Sequence, residues 1–314
     1  MVKLGVSVDH IATIREARKV PIATLTKRNV TSMAGTLYVV ATPLGNLGDL
    51  SARAVAVLGE VDLIACEDTR HFRRLLNHLG LKTSTTSYHE HNEQTKSSEL
   101  LGRVLKGQNL ALVSKAGTPL VSDPGYRLVR LCRENQVSVS PVPGPAAAVS
   151  ALSVSGLPSD CFHFLGFLRR QREAQRKQLK SVAAFDATLI MYLSPHRLLP
   201  TLETVLEVLG NREALVAREM TKAHETFHFG SLEKILAELR VEEVRGEYTL
   251  LLSGAGFETP PKPRIDISAY VSGLMVLREM SRAAAVKTAA AELELPRQQV
   301  YRTCFASSAE GKSD

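Results

Sequence analysis

The sequence is poor in aromatic residues, has no close pair of cysteines and contains no long hydrophobic run. Tryptophan is absent, and aromatic residues make up 5% of the 314 residues, which argues against an aromatic-lined groove for carbohydrate or peptide. No apolar stretch approaches the roughly 18 to 20 residues that a membrane helix needs. Asp9 and His10 lie where a signal peptide would keep its apolar segment. These absences predict a soluble, cytoplasmic protein that is not associated with a membrane.

The cysteines are widely separated, and no two of them form a C-x-x-C pair. Zinc sites and redox dithiols depend on closely spaced pairs, so both kinds of site are disfavoured. Isolated cysteines in such a chain are mostly small buried apolar residues. We therefore expect no metal site, and buried thiols at Cys66, Cys132, Cys161 and Cys304.

Common catalytic signatures are also missing. The sequence has no Walker A motif, no G-x-G-x-x-G after a predicted strand and no G-x-S-x-G nucleophile elbow. The segment with His89, Glu90, His91 and Glu93 resembles a metal cluster. Its spacing, however, does not place both imidazoles on one face of a helix. A loop that faces solvent or RNA is the favoured interpretation.

The sequence does have the composition of a globular protein, with 44% hydrophobic and 23% charged residues. From Gly35 onward, short apolar runs alternate with helical segments and Gly/Pro turns, as at Leu37–Ala41, Asp62–Cys66 and Leu110–Ser114. This alternation predicts an α/β protein whose parallel sheet carries helices on both faces. Ligands of such sheets bind beyond the carboxyl ends of the strands, where the Gly/Pro loops of this chain lie.

The turns divide the chain into four predicted segments. Residues 1–34 are an N-terminal extension outside the repeating pattern, and we expect them to be dispensable for the core. Residues 35–158 form a first α/β domain, and residues 159–258 form a second one. Residues 259–314 combine a proline-rich linker with a small helical extension, whose last two helices resemble a helix-turn-helix.

The formal net charge is +7, and much of it lies in the two ends of the chain. Within the chain, a run of basic residues has Glu173 as its only acidic neighbour. On a helix, four members of this run would share one face. A solvated helix surface is the usual role of a charged run, but the lack of acidic partners at i+4 favours contact with phosphate. The four residues are Arg169, Arg172, Arg176 and Lys180.

Several motifs carry a resemblance to a known family. Three of them are Leu37–Asp49 (LYVVATPLGNLGD), Asp62–Arg70 (DLIACEDTR) and Ala111–Gly125 (ALVSKAGTPLVSDPG). The others are Ser87–Asn92, Val142–Pro145, Tyr192–Arg197 and Ala217–Lys222. These motifs lie between about residues 35 and 256. Their sequences and their order along the chain are similar to those of the bacterial ribosomal RNA small subunit methyltransferase I family.

The resemblance implies a tetrapyrrole-methylase fold, in which two α/β domains hold S-adenosyl-L-methionine in the cleft between them. The family's reaction is 2′-O-methylation of a decoding-site cytidine in the 16S rRNA of the small ribosomal subunit, cytidine 1402. The resemblance also implies that the protein is a homodimer. Transferred motif by motif, the resemblance places the cofactor against residues of several loops. These are Leu44, Lys115, Ala116, Gly117, Thr118, Ala147, Ala148, Tyr192, Gly246 and Glu247.

The implied reaction is in-line attack of a ribose hydroxyl on a sulfonium methyl group. It depends on orientation, needs no metal and would be assisted by a base near the hydroxyl. Glu67, His89 and Glu90 are the candidate catalytic residues, because they follow predicted strand ends. Arg70 would position an RNA phosphate, although a local ion pair between Glu67 and Arg70 is an equally good interpretation.

The sequence departs from the family pattern at two places. Lys115 stands where the family usually has Asp, which predicts weaker attraction for the positive sulfonium. Residues 3–18 resemble the opening strand of the pyridoxine 5′-phosphate synthase family, none of whose later motifs follows. Two alternative functions therefore stay open: an RNA-binding relative with impaired cofactor binding, and a methylase of a small tetrapyrrole-like substrate. The basic segments favour a polyanionic substrate over a tetrapyrrole.

Overall fold

The computed structural model describes residues 34–257, 266–293 and 295–305. Except for Ala34, the predicted N-terminal extension lies outside these ranges, as does the proline-rich linker segment 259–263. The chain divides after Phe257 into two compact units. The larger unit contains two five-stranded sheets and the smaller one contains three helices. Within these ranges, no helix is long and apolar enough to cross a membrane.

The first sheet is wholly parallel, as the alternating pattern predicted. Its strands are β1 (Thr36–Val40), β2 (Leu63–Cys66), β3 (Thr85–Ser87), β4 (Leu110–Val113) and β5 (Ser138–Val142), in the order β3-β2-β4-β1-β5. The two strands at the edges, β3 and β5, were not predicted. Their sequences, TTS and SVSPV, are polar or contain proline, and edge strands tolerate both.

Four helices cover the two faces of this sheet: α1 (Ala52–Glu60), α2 (Thr69–His78), α3 (Glu93–Leu105) and α4 (Tyr126–Glu134). Helices α1 and α2 pack against one face, and α3 and α4 pack against the other. Successive residues of a strand point to opposite faces. The continuous apolar runs in β1, β2 and β4 are therefore needed, because both of their faces are buried.

The second sheet is mixed, which the sequence pattern did not indicate. It contains β6 (Phe162–Phe167), β7 (Thr188–Leu193), β8 (Glu213–Arg218), β9 (Thr226–Ser231) and β10 (Tyr248–Leu252). The order is β6-β7-β10-β8-β9, with β6 and β7 parallel and the other pairs antiparallel. Its central strands are as apolar as those of a parallel sheet, because helices bury both of their faces.

Helix α5 (Ala147–Ser153) joins the two halves of the larger unit. It follows β5 of the first sheet, yet it packs on the second sheet with Ile190, Leu215 and Leu251. The opposite face of the second sheet is covered by three helices: α6 (Arg172–Lys180), α7 (Leu198–Leu209) and α8 (Leu232–Leu239). Short 3₁₀ turns are formed by Leu47–Asp49 and Pro195–Arg197. Helix α5 thus fixes the loops of the first sheet beside the ends of the second.

The smaller unit is a three-helix cluster of α9 (Ile267–Leu277), α10 (Arg282–Glu292) and α11 (Arg297–Phe305). Its core includes Val271 and Val300 together with small alanines of α10. The two predicted C-terminal helices are confirmed to within one residue, and the side chain of Ser281 caps α10 by accepting from the backbone of Ala284. Helix α9 was not predicted.

Candidate active site

A cavity of about 350 Å³ lies between the two sheets of the larger unit. It is formed by loops at the carboxyl ends of first-sheet strands and by the facing ends of β7 and β10. Most of the predicted cofactor residues line it: Leu44, Lys115, Ala116, Gly117, Thr118, Ala147, Tyr192 and Glu247. The two others, Ala148 and Gly246, each adjoin a lining residue in the chain without lining the cavity themselves.

Hydrogen bonds between loops hold the floor of the cavity. Thr42, after β1, and Gly117, after β4, exchange two backbone hydrogen bonds of 2.9 and 3.0 Å. The hydroxyl of Thr118 donates to the carbonyl of Pro145 at 2.9 Å. Gly117 has a φ of +78°, which glycine adopts at little cost, and an added Cβ would lie 3.1 Å from a methyl group of Leu44. The three loops therefore present backbone and small side chains to the cavity in a fixed arrangement.

Tyr192 forms the aromatic wall opposite these loops. Its ring packs edge-on against Phe164 and Phe167, with centroid distances of 5.0 and 5.5 Å. Burial raises the pKa of this phenol. Tyr192 also packs against the apolar cluster that contains Ala148, at the start of α5.

The Ala217–Lys222 motif joins the first loop to the turn before β10. The ammonium of Lys222 bonds the carboxylates of Glu219 and Glu247 at 2.8 and 2.9 Å. The side chain of Lys222 also covers Gly45 so closely that a Cβ there would overlap it. Gly246 is equally constrained, because its φ is +90° and a Cβ would lie 2.6 Å from the Glu219 carboxylate. Lys222 thereby ties Glu247, which lines the cavity, to the loop that contains Gly45.

Glu67 lines the cavity at the end of β2, as a catalytic candidate should. Its Oε1 accepts a hydrogen bond of 3.4 Å from the backbone N–H of Lys115. Within the described ranges, Glu67 and Arg70 form no ion pair, so the interpretation of these two as a local structural pair is wrong. Lys115 also lines the cavity, which places a positive side chain at the rim of the proposed cofactor site.

Asp123 is a cavity-lining carboxyl group that the sequence analysis did not select. Burial, and next the nearby carboxylate of Glu67, raise the pKa of Asp123 from 3.8 to about 7. The available signal was its place in the turn Ser122-Asp-Pro-Gly125, which follows β4 within one of the family motifs. Strongly raised carboxyl pKa values in a cleft are a common feature of functional groups.

His89 and Glu90 do not line the cavity, although they follow the end of β3. Their segment has a structural role through its neighbours Tyr88 and Glu93. Oε1 of Glu93 accepts hydrogen bonds from the Tyr88 hydroxyl at 3.1 Å and from the backbone of Gly125 at 3.1 Å. The segment therefore anchors the loop that carries Asp123. The described part of the chain contains no group of three His, Cys, Asp or Glu residues that could hold a metal ion.

The predicted basic face is only partly formed. Helix α6 begins at Arg172, so Arg169 precedes the helix instead of continuing its face. Arg172 and Arg176 both reach Glu207 of α7, at 3.4 and 2.8 Å. The expectation that these arginines lack acidic partners is therefore wrong, because the partner comes from another helix. Of the predicted buried thiols, Cys66 and Cys132 are buried, whereas Cys161 is exposed and Cys304 half-buried.

The fold defines the class of protein. Residues 36–236 match the family described as Tetrapyrrole (Corrin/Porphyrin) Methylases. The methyltransferase CobJ has a similar structure, with a TM-score of 0.55 at 20% sequence identity over 73% of this chain and 98% of that one. A diphthine synthase is similar at a TM-score of 0.53 and 14% identity, over 70% of this chain and 89% of its own. At these identities the likeness concerns the fold alone.

Sequence relatives narrow the assignment. Ribosomal RNA small subunit methyltransferase I of Halalkalibacterium halodurans is 42% identical over 271 residues, which cover 85% of this chain and 93% of that protein. The protein of the same name from Escherichia coli O157:H7 is 50% identical over 70% of this chain and 78% of its own. The one from Micromonospora olivasterospora is 41% identical over 94% of both chains. The chain therefore belongs to the ribosomal RNA small subunit methyltransferase I family of the tetrapyrrole methylases.

Proposed function

We propose that this protein transfers a methyl group from S-adenosyl-L-methionine to the ribose 2′-hydroxyl of a cytidine in 16S rRNA, cytidine 1402 by the family resemblance. The observation that carries the proposal is the cavity between the two sheets, in a chain whose relatives bear the name of an rRNA methyltransferase. Its volume of about 350 Å³ falls within the range of roughly 300 to 1,000 Å³ that is typical of small-molecule and cofactor sites.

The lining of the cavity fits this cofactor. Ala116, Gly117 and Ala147 leave room for close approach along backbone, and Leu44 and Tyr192 offer apolar surface. The acidic side chains of Glu67, Asp123 and Glu247 also line the cavity, and they would favour a ligand that carries positive charge, as the sulfonium does. Bound there, the cofactor would supply the methyl electrophile. The residues of this chain would hold the ribose hydroxyl in line with it.

We propose that the rRNA backbone binds to the outer face of α2. The inner face of this helix packs into the core through Phe72 and Leu76. Arg70, Arg73 and Arg74 are exposed, and among the described residues none of them is in an ion pair. Helix α2 begins two residues after the cavity-lining Glu67, so its first turn, which contains Arg70, adjoins the cavity.

Helix α6 is a weaker candidate for RNA binding, because Glu207 already neutralises part of its charge. Arg169 and Lys180 are exposed and, within the described ranges, unpaired, so they remain proposed secondary contacts together with Arg172 and Arg176. A phosphate would have to compete with Glu207 for the last two. Arg170 and Lys177 are also exposed and, among the described residues, outside any ion pair, so both segments carry unpaired charge. The place of α2 directly after Glu67 is what favours α2.

We further propose that the protein is a homodimer and that it acts on the small ribosomal subunit in the cytoplasm. Phe227 and Phe229 of the edge strand β9 pair with Ala217 and Leu215, which belong to the core under α5. Paired residues share a side of the sheet, so this apolar face continues to the edge, where the two rings are 43% and 47% exposed. Exposed apolar surface of this kind suits contact with a second copy.

Methyl transfer tests the proposal directly. Purified protein is incubated with S-adenosylmethionine labelled in the methyl group and with 30S particles, free 16S rRNA or a tetrapyrrole, and the label is mapped in the RNA. We expect incorporation into one cytidine ribose of 16S rRNA. Binding of 30S particles without transfer would instead support the RNA-binding alternative, and label on the tetrapyrrole alone would support the small-molecule alternative. Either outcome would refute the proposed reaction.

A further inference from the structure

We propose that Asp123 accepts the proton of the attacking hydroxyl, and that Glu93 positions the loop from which Asp123 acts. The inference rests on the proposed function and assigns roles within the same site. The sequence suggested Glu67, His89 and Glu90 as candidates for the base. The proposal assigns this role to Asp123 instead.

Asp123 is one of the residues that line the cleft between the two sheets. It belongs to the loop that follows β4 in the first domain, and the side chains of Ser114 and Glu67 lie close enough to act on its carboxyl group. Its charge also acts on the Tyr192 hydroxyl at the end of β7 in the second domain. A group that faces both domains can reach a hydroxyl that is held against the cofactor between them.

Anchored backbone holds Asp123 in place. Glu93 bonds the N–H groups of Gly125 and Arg127 at 3.1 and 3.3 Å, which fixes the loop where it enters α4. On the other side, Leu120 and Ser122 have positive φ values of 73° and 67°. Left-handed conformations cost energy in residues other than glycine, and they persist where the surrounding structure determines them, often at active sites.

The second domain is shaped to receive this loop. Gly166 in β6 has a φ of +63°, and a Cβ there would lie 2.8 Å from the Ser122 hydroxyl oxygen. The strand also has a register irregularity between Phe164 and Gly166. Bulges and glycines of this kind mark close approach of other groups to a sheet. The Asp123 loop is therefore held from both domains.

Glu67 suits the role of a neighbouring charge better than that of the base. The backbone N–H of Lys115 donates to its Oε1, which holds this carboxylate at the end of β2. A fixed negative charge beside Asp123 makes the Asp123 carboxylate more basic. The other titratable groups that line the cavity are Lys115, Tyr192, Tyr248 and Glu247. Glu247 is already paired with Lys222.

The step is balanced without any further reactant. The hydroxyl oxygen forms a bond to the methyl carbon while its proton passes to a carboxylate oxygen of Asp123. The bond from methyl to sulfur breaks, and its electron pair remains on sulfur. The products are a methyl ether, a neutral thioether and a protonated Asp123, so the negative carboxylate and the positive sulfonium are both neutralised. A base with a pKa near the working pH is the most effective one for such a transfer.

Single-turnover methyl transfer to 30S particles, measured between pH 5.5 and 8.5, tests the inference. For the wild-type protein we expect a rate that rises with pH and has a midpoint near 7. Asp123→Asn should lower the rate about 10²- to 10³-fold and abolish this midpoint. At pH 5.5, where Asp123 is mostly protonated in the wild-type protein as well, the dissociation constant for S-adenosylmethionine, measured by calorimetry, should be nearly the same for the two proteins. Asp160→Asn is the matched control, because Asp160 is exposed and does not line the cavity, and it should keep the rate and the midpoint.

Glu93→Gln tests the positioning role. The amide can still accept through one oxygen but lacks the negative charge, so we expect a rate about tenfold lower, with the midpoint near pH 7 retained. An Asp123→Asn protein that keeps more than a tenth of the rate, or a wild-type rate that does not depend on pH, would overturn the inference while the proposed function stands. A wild-type protein that transfers no methyl group refutes the proposed function itself, and this inference with it.

Discussion

Asp123→Asn is expected to make the protein more stable at pH 8 while it removes activity. The pKa of Asp123 is about 7 in the folded protein, against an ordinary value of 3.8. The folded state therefore holds this proton more firmly than the unfolded state does. The stabilisation is fully present below pH 3.8 and is lost as the pH rises through about 7, where the folded protein must carry the buried charge beside Glu67.

The difference between the two pKa values corresponds to about 4 kcal/mol in the free energy of unfolding. Water in the cleft also solvates the carboxylate, so we expect the Asn side chain to recover about 1 to 3 kcal/mol at pH 8. For a unit of this size that is a rise in Tm of roughly 2 to 8 °C. At pH 5 the gain should be much smaller, because wild-type Asp123 is then protonated in the folded state.

Urea and thermal unfolding of the wild-type and Asp123→Asn proteins at pH 5 and pH 8 measure this effect. Asp160→Asn is the matched control, because Asp160 is exposed, and its free energy of unfolding should change little at either pH. An Asn variant that is less stable at pH 8, or that gains equally at both pH values, would refute the reasoning. Such a result would show that ionising Asp123 does not destabilise the folded protein.

Three further predictions concern binding and stability. Lys115→Asp should bind S-adenosylmethionine more tightly by calorimetry at low salt, by at most about a hundredfold, since one charge pair at 5 Å is worth about 3 kcal/mol at an effective dielectric of 20. Equal dissociation constants would mean that Lys115 keeps its ammonium in water. Changing Arg70, Arg73 and Arg74 together to Gln should reduce the salt slope of binding to 30S particles by about 0.7 to 0.9 per lost contact. The double change of Arg172 and Arg176 should reduce the slope less per arginine changed, because Glu207 engages both, and an equal reduction per arginine would contradict the assignment of the RNA face to α2. Arg212→Ala should cost about 3 kcal/mol in urea unfolding, because its guanidinium donates to the carbonyls of Leu209, Ala183 and Ser253. A cost below 1 kcal/mol would show that water replaces these bonds.

Local sequence determined the parts of this protein whose cause is local. The apolar runs of β1, β2 and β4 predicted buried parallel strands, because only a sheet covered on both faces needs apolar residues at every position. The glycines and prolines after those strands predicted the ligand loops, because they provide the backbone conformations that such loops require. Most of the predicted cofactor residues, from Leu44 to Glu247, do line the cavity, and the family resemblance supplied them.

Only the tertiary structure decided which distant residues meet. Glu207 neutralises Arg172 and Arg176 from another helix, and Glu93 reaches across to hold the loop of Asp123. The antiparallel pairing of β10 with β7 and β8 likewise joins strands far apart in sequence. The spacing of apolar residues along a segment indicates which of its faces is buried. It does not indicate which other segment packs against that face. The basicity of Asp123 depends on burial and on the Glu67 carboxylate, and both exist only after the loops have packed together.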